Sequence, residues 1–251
     1  MLRFWNDLTP GDQLKLAEQI LNLDLISLNK MFKDAQTRRS SDCNIEPVDR
    51  ENICVARDHP EERPRWKEIG LEAISKSEVG VVLLSGGQGT RLGSDKPKAL
   101  FDIGLPSKKT LLHLHADKIA KLETMTGGKL PWYIMTSDST HQDISDHLDS
   151  CDHFGLDRDQ VTLFRQGTLP CLSDEGDILL EDQSTLAMAP DGNGGLYRAI
   201  REEGVMADMK RRNIKHLFVF CVDNVLVKIA DPEFIGYCIS KEADCGNKVK
   251  I

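Results

Sequence analysis

The segment of residues 81–98 contains the residue types in this sequence that are best suited to holding phosphate. It begins with the apolar run Val81–Leu84, and two cations, Arg91 and Lys98, follow downstream. Three glycines lie between the run and the cations: Gly86, Gly87 and Gly89. Such a run predicts a buried strand that opens into a loop. Small residues let backbone N–H groups approach an anion and fixed cations neutralise it, so the segment predicts a phosphate-binding loop.

Two familiar glycine motifs do not account for this segment. Gly87, Gly89 and Gly93 approximate a dinucleotide-binding fingerprint, but that fingerprint needs an acidic residue about 20 positions on, at the end of the next strand. The next predicted strand ends near Asp138, which is far too late. No Gly-Lys-Ser or Gly-Lys-Thr sequence follows the loop, which argues against a P-loop.

The sequence Leu84–Gly93, with Pro97 and Lys98 after it, resembles the signature of sugar-nucleotide pyrophosphorylases. This version is most similar to the eukaryotic UDP-N-acetylglucosamine pyrophosphorylases, also called UDP-N-acetylhexosamine pyrophosphorylases. Four further segments are similar to the same family: residues 102–111, 188–197, 221–224 and 243–246. Residues 188–195 also predict a second glycine loop. The N-terminal helices also resemble that family, so the resemblance covers nearly the whole chain.

The resemblance implies a nucleotidyltransferase of UDP-N-acetylglucosamine biosynthesis, a UDP-N-acetylglucosamine diphosphorylase. UTP and N-acetylglucosamine 1-phosphate would give UDP-N-acetylglucosamine and pyrophosphate. An oxygen of the sugar phosphate would attack the α-phosphorus of UTP in line, without a covalent enzyme intermediate. Catalysis would then depend on positioning and on charge neutralisation.

The same resemblance assigns roles to individual residues. Arg91 resembles the arginine on the departing β- and γ-phosphates, and Lys98 resembles the lysine around the reacting centre, so both are expected to be catalytic. Asp223 resembles the strand-end aspartate that binds Mg²⁺, which is the expected cofactor. Lys98 and Asp223 are also expected to bind the nucleotide. The remaining expected nucleotide- or sugar-binding residues are Leu84, Ser85, Gly86, Gly87, Gln166, Gly192 and Asn193.

Within this set, the resemblance implies a division between the base and the sugar. Backbone groups of Gly86 and Gly87 would lie near the uridine, and Gln166 would read the uracil edge. Gly192 and Asn193 would face nucleotide and sugar, with Asn193 on the sugar side. The resemblance therefore predicts one pocket assembled from three separate segments.

Two residues depart from the family's usual pattern, and several have simpler interpretations. Ser85 stands where alanine is commoner, and Arg165 stands where a second glutamine is common. Lys98 could be a surface lysine and Asp223 a turn or helix-cap residue. Gln166 would be uninformative without its matching neighbours. The histidines at 113 and 115 are interpreted as helix-surface or packing residues.

Strands alternate with helices after residue 76. The predicted strands are Val81–Leu84, Trp132–Thr136, Val161–Phe164 and Leu217–Val222, and helices are predicted after Thr110, over His141–Leu148 and over 196–212. This alternation predicts an α/β domain with a mixed, mainly parallel, Rossmann-like sheet. Ligands of such sheets bind beyond the carboxyl ends of the strands. The glycine loop and Asp223 both follow predicted strands, so they are expected at that edge.

The N-terminal part is predicted to form a small helical layer and a linker, residues 1–76. Thr9 can cap a helix whose apolar face would carry Leu14, Ala17 and Leu21. A second amphipathic helix follows, and residues 36–64 read as a polar connection. A partner-binding helix is the alternative for the leucines. Residues 77–251 are predicted to be the nucleotidyltransferase domain.

Bulk composition narrows the class of protein. The chain has 251 residues, 40% of them hydrophobic, and a formal net charge of −8. The acidic balance argues against general nucleic-acid binding, which needs a basic face. No apolar run could span a bilayer and the first ten residues lack a signal-peptide core, so no membrane partner is expected. Seven scattered cysteines without a Cys-x-x-Cys pair predict free thiols and a cytoplasmic protein.

Family members are substantially longer, so the resemblance predicts a chain truncated at its C-terminus with an incomplete sheet. An open sheet edge favours self-association. The alternative function is therefore a catalytically inactive, UTP-binding or interaction remnant of the family. A related uridylyltransferase acting on glucose or galactose 1-phosphate is a third possibility, which Gln88 and Arg91 disfavour.

Overall fold

The computed structural model describes residues 1–37 and 46–249. Contacts divide the chain into two compact units. The N-terminal unit comprises Met1–Cys54 and Thr168–Asp191, and the sheet unit comprises Val55–Gly167 and Gly192–Ile251. This division groups residues 55–76 with the sheet. The predicted domain boundary after residue 76 stays a prediction.

Strands and helices alternate along the described residues. The strands are β1 (Val79–Leu84), β2 (Trp132–Thr136), β3 (Val161–Arg165), β4 (Thr168–Pro170), β5 (Met188–Pro190) and β6 (His216–Cys221). The helices are α1 (Pro10–Leu21), α2 (Leu25–Thr37), α3 (Arg63–Ser75), α4 (Leu111–Thr126), α5 (Asp138–Ser150), α6 (Leu196–Glu202), α7 (Val205–Arg211) and α8 (Pro232–Ser240). Short 3₁₀ turns connect several of them.

The sheet unit is built on four parallel strands in the order β3-β2-β1-β6. Leu84, the last residue of β1, lies opposite Met135 of β2 and Cys221 of β6. The predicted mainly parallel α/β sheet is therefore confirmed. The chain runs outward from β1 through β2 to β3 and then returns to the other side of β1. Such a switch point leaves a crevice at the carboxyl ends of the two central strands, where ligands of these folds bind.

β1 is buried on both of its faces, which explains why it reads as a continuous apolar run. Val81 and Leu83 face a core cluster that also contains Leu112 of α4 and Ile235 of α8. Val82 faces the opposite way, towards residues of α6 and α7. Each such side chain contributes about 1.5–3 kcal/mol by its burial. Burial on two sides holds β1, and the loop that follows it, in a fixed place.

Helix α4 begins after Thr110, as its sequence predicts. The Thr110 side chain accepts a hydrogen bond from the His113 amide at 3.3 Å, as an N-cap residue does. Leu112, Ala116 and Ile119 are fully buried at helical spacing. These three residues anchor α4 in the core cluster beside the sheet.

Helices α3 and α8 approach each other unusually closely. A Cβ atom on Gly70 would lie 1.9 Å from the carbonyl oxygen of Pro232, and one on Gly236 would lie 1.7 Å from that of Trp66. Any larger residue would collide with backbone at both positions. Trp66 is buried here and belongs to the core.

Two predicted elements require correction. The single helix expected over residues 196–212 is wrong, because Gly204, with φ of 75°, separates α6 from α7. The glycine loop expected over residues 188–195 is also only partly a loop. Its first three residues form β5, which pairs antiparallel with β4. Both errors concern features that packing, and not local pattern, decides.

Within the N-terminal unit, polar contacts join α1 to the segment between β4 and β5. Lys15 Nζ donates to Thr185 Oγ1 at 2.9 Å, and the Leu186 amide donates to Gln19 Oε1 at 3.0 Å. Leu16 of the same helix is fully buried. The predicted apolar face of α1 is wrong, because Leu14 and Leu21 are exposed. α1 begins at its predicted cap, Thr9.

Strand β6 lies at one edge of the described sheet. Two of its apolar side chains, Leu217 and Val219, are exposed. Self-association through this edge stays a prediction. Six cysteines are free thiols in the described residues, while Cys43 lies outside them. None of the described helices has the length and apolar character needed to cross a bilayer.

Asp208 of α7 joins that helix to the sheet. Its carboxylate accepts hydrogen bonds from Tyr133 Oη at 3.0 Å and Arg212 Nε at 2.7 Å, and Arg211 also contacts it. Burial opposes ionisation of this carboxyl, but the combined hydrogen bonds from the two arginines and Tyr133 hold the pKa of Asp208 below its usual value.

Replacing Asp208 with asparagine should lower the free energy of unfolding by about 1–3 kcal/mol at neutral pH, because three donors lose a charged acceptor. Since the folded-state pKa is lowered, this stabilisation exists above the unfolded-state pKa of about 4 and is lost as pH falls through the folded value. Urea unfolding at neutral pH and at about pH 3 should show the difference from wild type shrinking in acid. Asp143→Asn, exposed on α5, is the matched control. An equal loss in that variant would contradict the prediction.

Candidate active site

Four strand ends meet around the glycine loop at the carboxyl edge of the sheet. The Ser85 amide donates to the carbonyl of Met135 at 2.8 Å, and the Val222 amide donates to that of Leu84 at 3.1 Å. The Gln166 amide continues the β2–β3 pairing. The predicted positions 84–87, 166 and 223 are therefore neighbours at one edge. Because the Ser85 N–H is taken by the sheet, that group is not free to hold a ligand.

The glycine loop folds back on itself through an isolated bridge between Gln88 and Pro97. The Lys98 amide donates to the Gly87 carbonyl at 3.1 Å, and the Gly89 amide donates to the Lys96 carbonyl at 3.0 Å. A Cβ on Gly89 would lie 2.5 Å from that carbonyl oxygen. The fold-back brings Lys98 beside Gly87. In the described residues, the amides at 86–88 have no hydrogen-bond acceptor, so they are available to an anion.

The side chain of Gln166 lies directly over Gly86. A Cβ on Gly86 would be 2.7 Å from Gln166 Oε1 and 2.8 Å from Nε2, so only glycine leaves room for the amide here. Ser137 Oγ donates a hydrogen bond to the Gly86 carbonyl oxygen at 2.9 Å. An amide carries both a donor and an acceptor. The arrangement can therefore read a flat polar edge placed against the loop.

Lys98 and Asp223 face each other across the crevice. Lys98 Nζ lies 3.5 Å from Asp223 Oδ2, and the Lys98 side chain is 25% exposed while that of Asp223 is 61% exposed. Charge-assisted hydrogen bonds of this kind are usually about 2.7–2.9 Å long, so this pair is loose. A loose pair can open when an anion binds the ammonium and a cation binds the carboxylate.

Cys221 ends β6 beside this pair. Burial raises the pKa of its thiol and the Asp223 carboxylate raises it further, while Lys98 opposes the shift. The thiol therefore stays protonated at neutral pH, and a protonated thiol is a poor nucleophile. Covalent catalysis by Cys221 does not fit this environment.

Asp223 is the only residue of the set predicted to bind metal. In the described part of the chain, no group of three or more His, Cys, Asp or Glu residues could hold a metal ion. A site made only of protein ligands therefore does not fit. One exposed carboxylate fits Mg²⁺, because that ion commonly binds through one or two carboxylates, phosphate oxygens and waters.

Three of the predicted site residues are less closely connected to the glycine loop. The backbone of Arg91 lies in the 3₁₀ turn Thr90–Leu92 that follows the loop, and its side chain lies outside the described part. Gly192 and Asn193 are exposed and precede α6. Neither residue is hydrogen-bonded to the described residues of the glycine loop. Their predicted roles stay predictions.

Sequence reasoning missed the residues that buttress the loop from α5. Ser137 is the N-cap residue of α5, and Gln88 Nε2 donates to the Ser139 carbonyl at 3.1 Å. Asp138 also pairs with Arg165, at 3.3 Å. The polar run after Thr136, with its capping box, was the available signal.

His115 of α4 was expected on the surface or in packing, and it is fully buried. Its Nε2 lies 2.9 Å from the carbonyl oxygen of Val222. Burial lowers the pKa of His115 to about 4, although the bond to Val222 opposes the shift. The imidazole is therefore neutral at pH 7 and can donate from Nε2 to that carbonyl.

Two solved structures that resemble this chain are UDP-sugar pyrophosphorylases. The UDP-N-acetylglucosamine pyrophosphorylase from Trypanosoma brucei, in complex with an inhibitor, matches with a TM-score of 0.79 and 28% identity. The match covers 94% of this chain and 50% of that one. UDP-glucose pyrophosphorylase from Leishmania major matches with a TM-score of 0.64 at 19% identity over 94% of this chain and 48% of that one, which concerns the fold alone. The fold is thus that of UDP-sugar pyrophosphorylases.

Sequence comparisons agree with the fold. The family model described as UTP–glucose-1-phosphate uridylyltransferase matches residues 26–250, and the chain belongs to that family. UDP-N-acetylhexosamine pyrophosphorylase-like protein 1 from Xenopus tropicalis is 42% identical over 99% of this chain and 52% of its own length. UDP-N-acetylglucosamine pyrophosphorylase from Saccharomyces cerevisiae is 42% identical over 97% of this chain and 54% of its own length. The resemblance inferred from motifs is confirmed, and the chain spans about half the length of these relatives.

Proposed function

We propose that the protein binds UTP at the carboxyl edge of its sheet and transfers the uridylyl group to an N-acetylhexosamine 1-phosphate. The observation that carries this proposal is that the amide of Gln166 and the side chain of Lys98 lie against the same glycine loop. The Gln166 side chain lies over Gly86, and the Lys98 side chain lies beside the next residue, Gly87. A base-reading group and a phosphate-binding cation are therefore adjacent, as a uridine nucleotide requires.

The proposed reaction is a single in-line displacement. A bond forms between an oxygen of the sugar phosphate and the α-phosphorus, while the bond from that phosphorus to the bridging oxygen breaks and pyrophosphate leaves. The ammonium of Lys98 would neutralise phosphate charge, while the backbone groups of Gly86 and Gly87 would lie near the uridine. Arg91 is proposed to hold the departing phosphates. Holding the reactants in line supplies the rest of the acceleration.

Asp223 is proposed to hold Mg²⁺, which would bind phosphate oxygens and offset their charge when present. The carboxylate is exposed and only loosely paired with Lys98, so it has free oxygen positions to offer. Gly192 and Asn193 are proposed to face the sugar. A cytoplasmic location belongs to the same proposal and is supported by the free thiols.

The sugar is assigned by the names of relatives. Four relatives named for N-acetylhexosamine or N-acetylglucosamine are 39–42% identical to this chain. A match to a UDP-glucose enzyme is 19% identical and supports the fold alone. N-acetylhexosamine 1-phosphate is therefore the better-supported acceptor than glucose 1-phosphate.

A second candidate is a chain that binds UTP without turnover. It is favoured by one observation, that the chain spans about half the length of its curated relatives. The base-reading and phosphate-binding groups described above would serve binding alone equally well. Only the acceptor side of the reaction distinguishes the two candidates.

One experiment decides between them. Purified full chain is tested by calorimetry for UTP binding in Mg²⁺, and by a pyrophosphate-release assay after N-acetylglucosamine 1-phosphate is added. We expect UTP to bind in preference to CTP, and N-acetylglucosamine 1-phosphate to release more pyrophosphate than glucose 1-phosphate. Binding without release would support the second candidate. Absence of UTP binding would overturn both.

A further inference from the structure

The turn that carries Asp223 is attached to α4 by a buried histidine. His115 Nε2 and the carbonyl oxygen of Val222 are 2.9 Å apart. The ring also packs edge-on against Phe220 of β6, with centroids 5.0 Å apart. Both contacts are made to the strand end that directly precedes Asp223, so the orientation of the ring and the position of the strand end are coupled.

Lys118, about one helical turn after His115 on α4, binds the residues that follow Asp223. Lys118 Nζ donates to the carbonyl oxygens of Val225 and Val227, the second at 3.2 Å. Among the described residues, no carboxylate forms an ion pair with it. Residues 222–228 contain no helix or strand, so their carbonyls depend on such side chains and on tight turns for partners.

The same helix is bonded to the segment that carries Lys98. The Leu111 amide, in the first turn of α4, donates to the Phe101 carbonyl at 3.0 Å. The Phe101 amide in turn donates to the Lys98 carbonyl at 3.0 Å. α4 is thus connected by hydrogen bonds to both segments whose charged side chains face each other across the crevice.

Packing alone does not explain the choice of histidine. Its neighbours on α4, such as Leu112 and Ile119, already anchor the helix through apolar burial. His115 Nδ1 is buried and has no hydrogen-bond partner in the described residues. An unsatisfied buried polar atom destabilises the fold, and a leucine at this position would avoid that cost. The hydrogen bond to the turn is the feature that leucine could not supply.

We propose that His115 and Lys118 are positioning residues that fix the Asp223 turn relative to Lys98. Neither side chain touches the substrates. They act through backbone carbonyls and keep the carboxylate and the ammonium at the separation that the nucleotide and its cation require. This inference rests on the proposed binding of UTP at that edge.

The test uses two pairs of variants in the full chain. His115→Leu and Lys118→Met remove the donors, while His115→Gln and Lys118→Arg keep an N–H that can reach a carbonyl. Lys121→Met, exposed on the same helix, is the control for charge, and Ile119→Val is the control for core packing. UTP binding in Mg²⁺ is measured by calorimetry. Hydrogen–deuterium exchange is measured for the amides of residues 222–228 and of β1.

We expect the two donor-removing variants to weaken UTP binding by about 3–10-fold, the effect of losing one or two hydrogen bonds. Exchange in residues 222–228 should accelerate while β1 is unchanged. The donor-keeping variants should recover most of the affinity, and both controls should behave like wild type.

If the wild-type chain binds UTP and the two donor-removing variants bind it with the same affinity, the inference is overturned and the proposed function stands. A loss in Ile119→Val equal to that in His115→Leu would also overturn it, since general packing would then be the cause. If the wild-type chain does not bind UTP, the proposed function fails and the inference fails with it.

Discussion

Replacing Lys98 with methionine should raise the Kd for UTP by about 10-fold or more, because charge-assisted hydrogen bonds to phosphate are worth about 1.5–3 kcal/mol. Methionine keeps the apolar stem that packs near Gly87 and removes only the ammonium. If the chain turns over, uridylyl transfer should fall by about 10²–10³-fold, as for loss of a preorganised charge at a reacting centre. Calorimetry and pyrophosphate release measure the two effects.

Lys96→Met is the matched control for this change. Lys96 lies on the same loop and is exposed, and its contribution to the loop is its backbone carbonyl. The control should therefore bind UTP like wild type. Equal weakening in both variants would indicate a general effect of loop charge and would contradict the specific role of Lys98. An unchanged Kd in Lys98→Met would remove Lys98 from the site.

Replacing Gln166 with glutamate should weaken UTP binding by about 10–100-fold, because a carboxylate cannot donate to a uracil carbonyl and adds a negative charge at the site. In the unsubstituted protein, the Gln166 amide lies against Gly86 and can both donate and accept a hydrogen bond. The preference for UTP over CTP should also fall. Competition binding with the two nucleotides measures both changes.

Gly86→Ala reaches the same side chain by another route. The new Cβ would collide with the Gln166 amide, which must move away from the loop. Because the obstacle is the end of a flexible side chain, the fold should persist while base preference falls. Gly194→Ala, where a Cβ meets open space, is the control and should keep that preference. Full UTP preference in both Gln166→Glu and Gly86→Ala would show that the amide does not read the base.

Local patterns were sufficient for elements whose ends carry their own signals. The Thr110 cap marks the start of α4, and the run Trp132–Thr136 is β2 to the residue. β1 begins two residues earlier than predicted but ends at the predicted Leu84. In each case a cap or an apolar run is sufficient, because the hydrogen bonds and burial that define the element lie within or directly beside it.

Other elements depended on packing that no local pattern contains. Gly204 lies within a helical pattern, but its φ of 75° separates α6 from α7. The buried face of α1 is centred on Leu16, and the same helix makes polar contacts with residues 184–186, far along the chain. The pairing of β4 with β5 is likewise a long-range contact.

The sequence by itself determined the family, the glycine loop and the set of candidate residues, because these depend on residue type and spacing. Only the tertiary structure decided which of these residues lie close together. Lys98 and Asp223 are 125 residues apart in the chain and face each other at 3.5 Å, and His115 reaches Val222 across 107 residues. These meetings follow from strand order, which places β6 beside β1. Strand order is set by the burial of whole faces, so it is a property of the assembled core and not of any one segment.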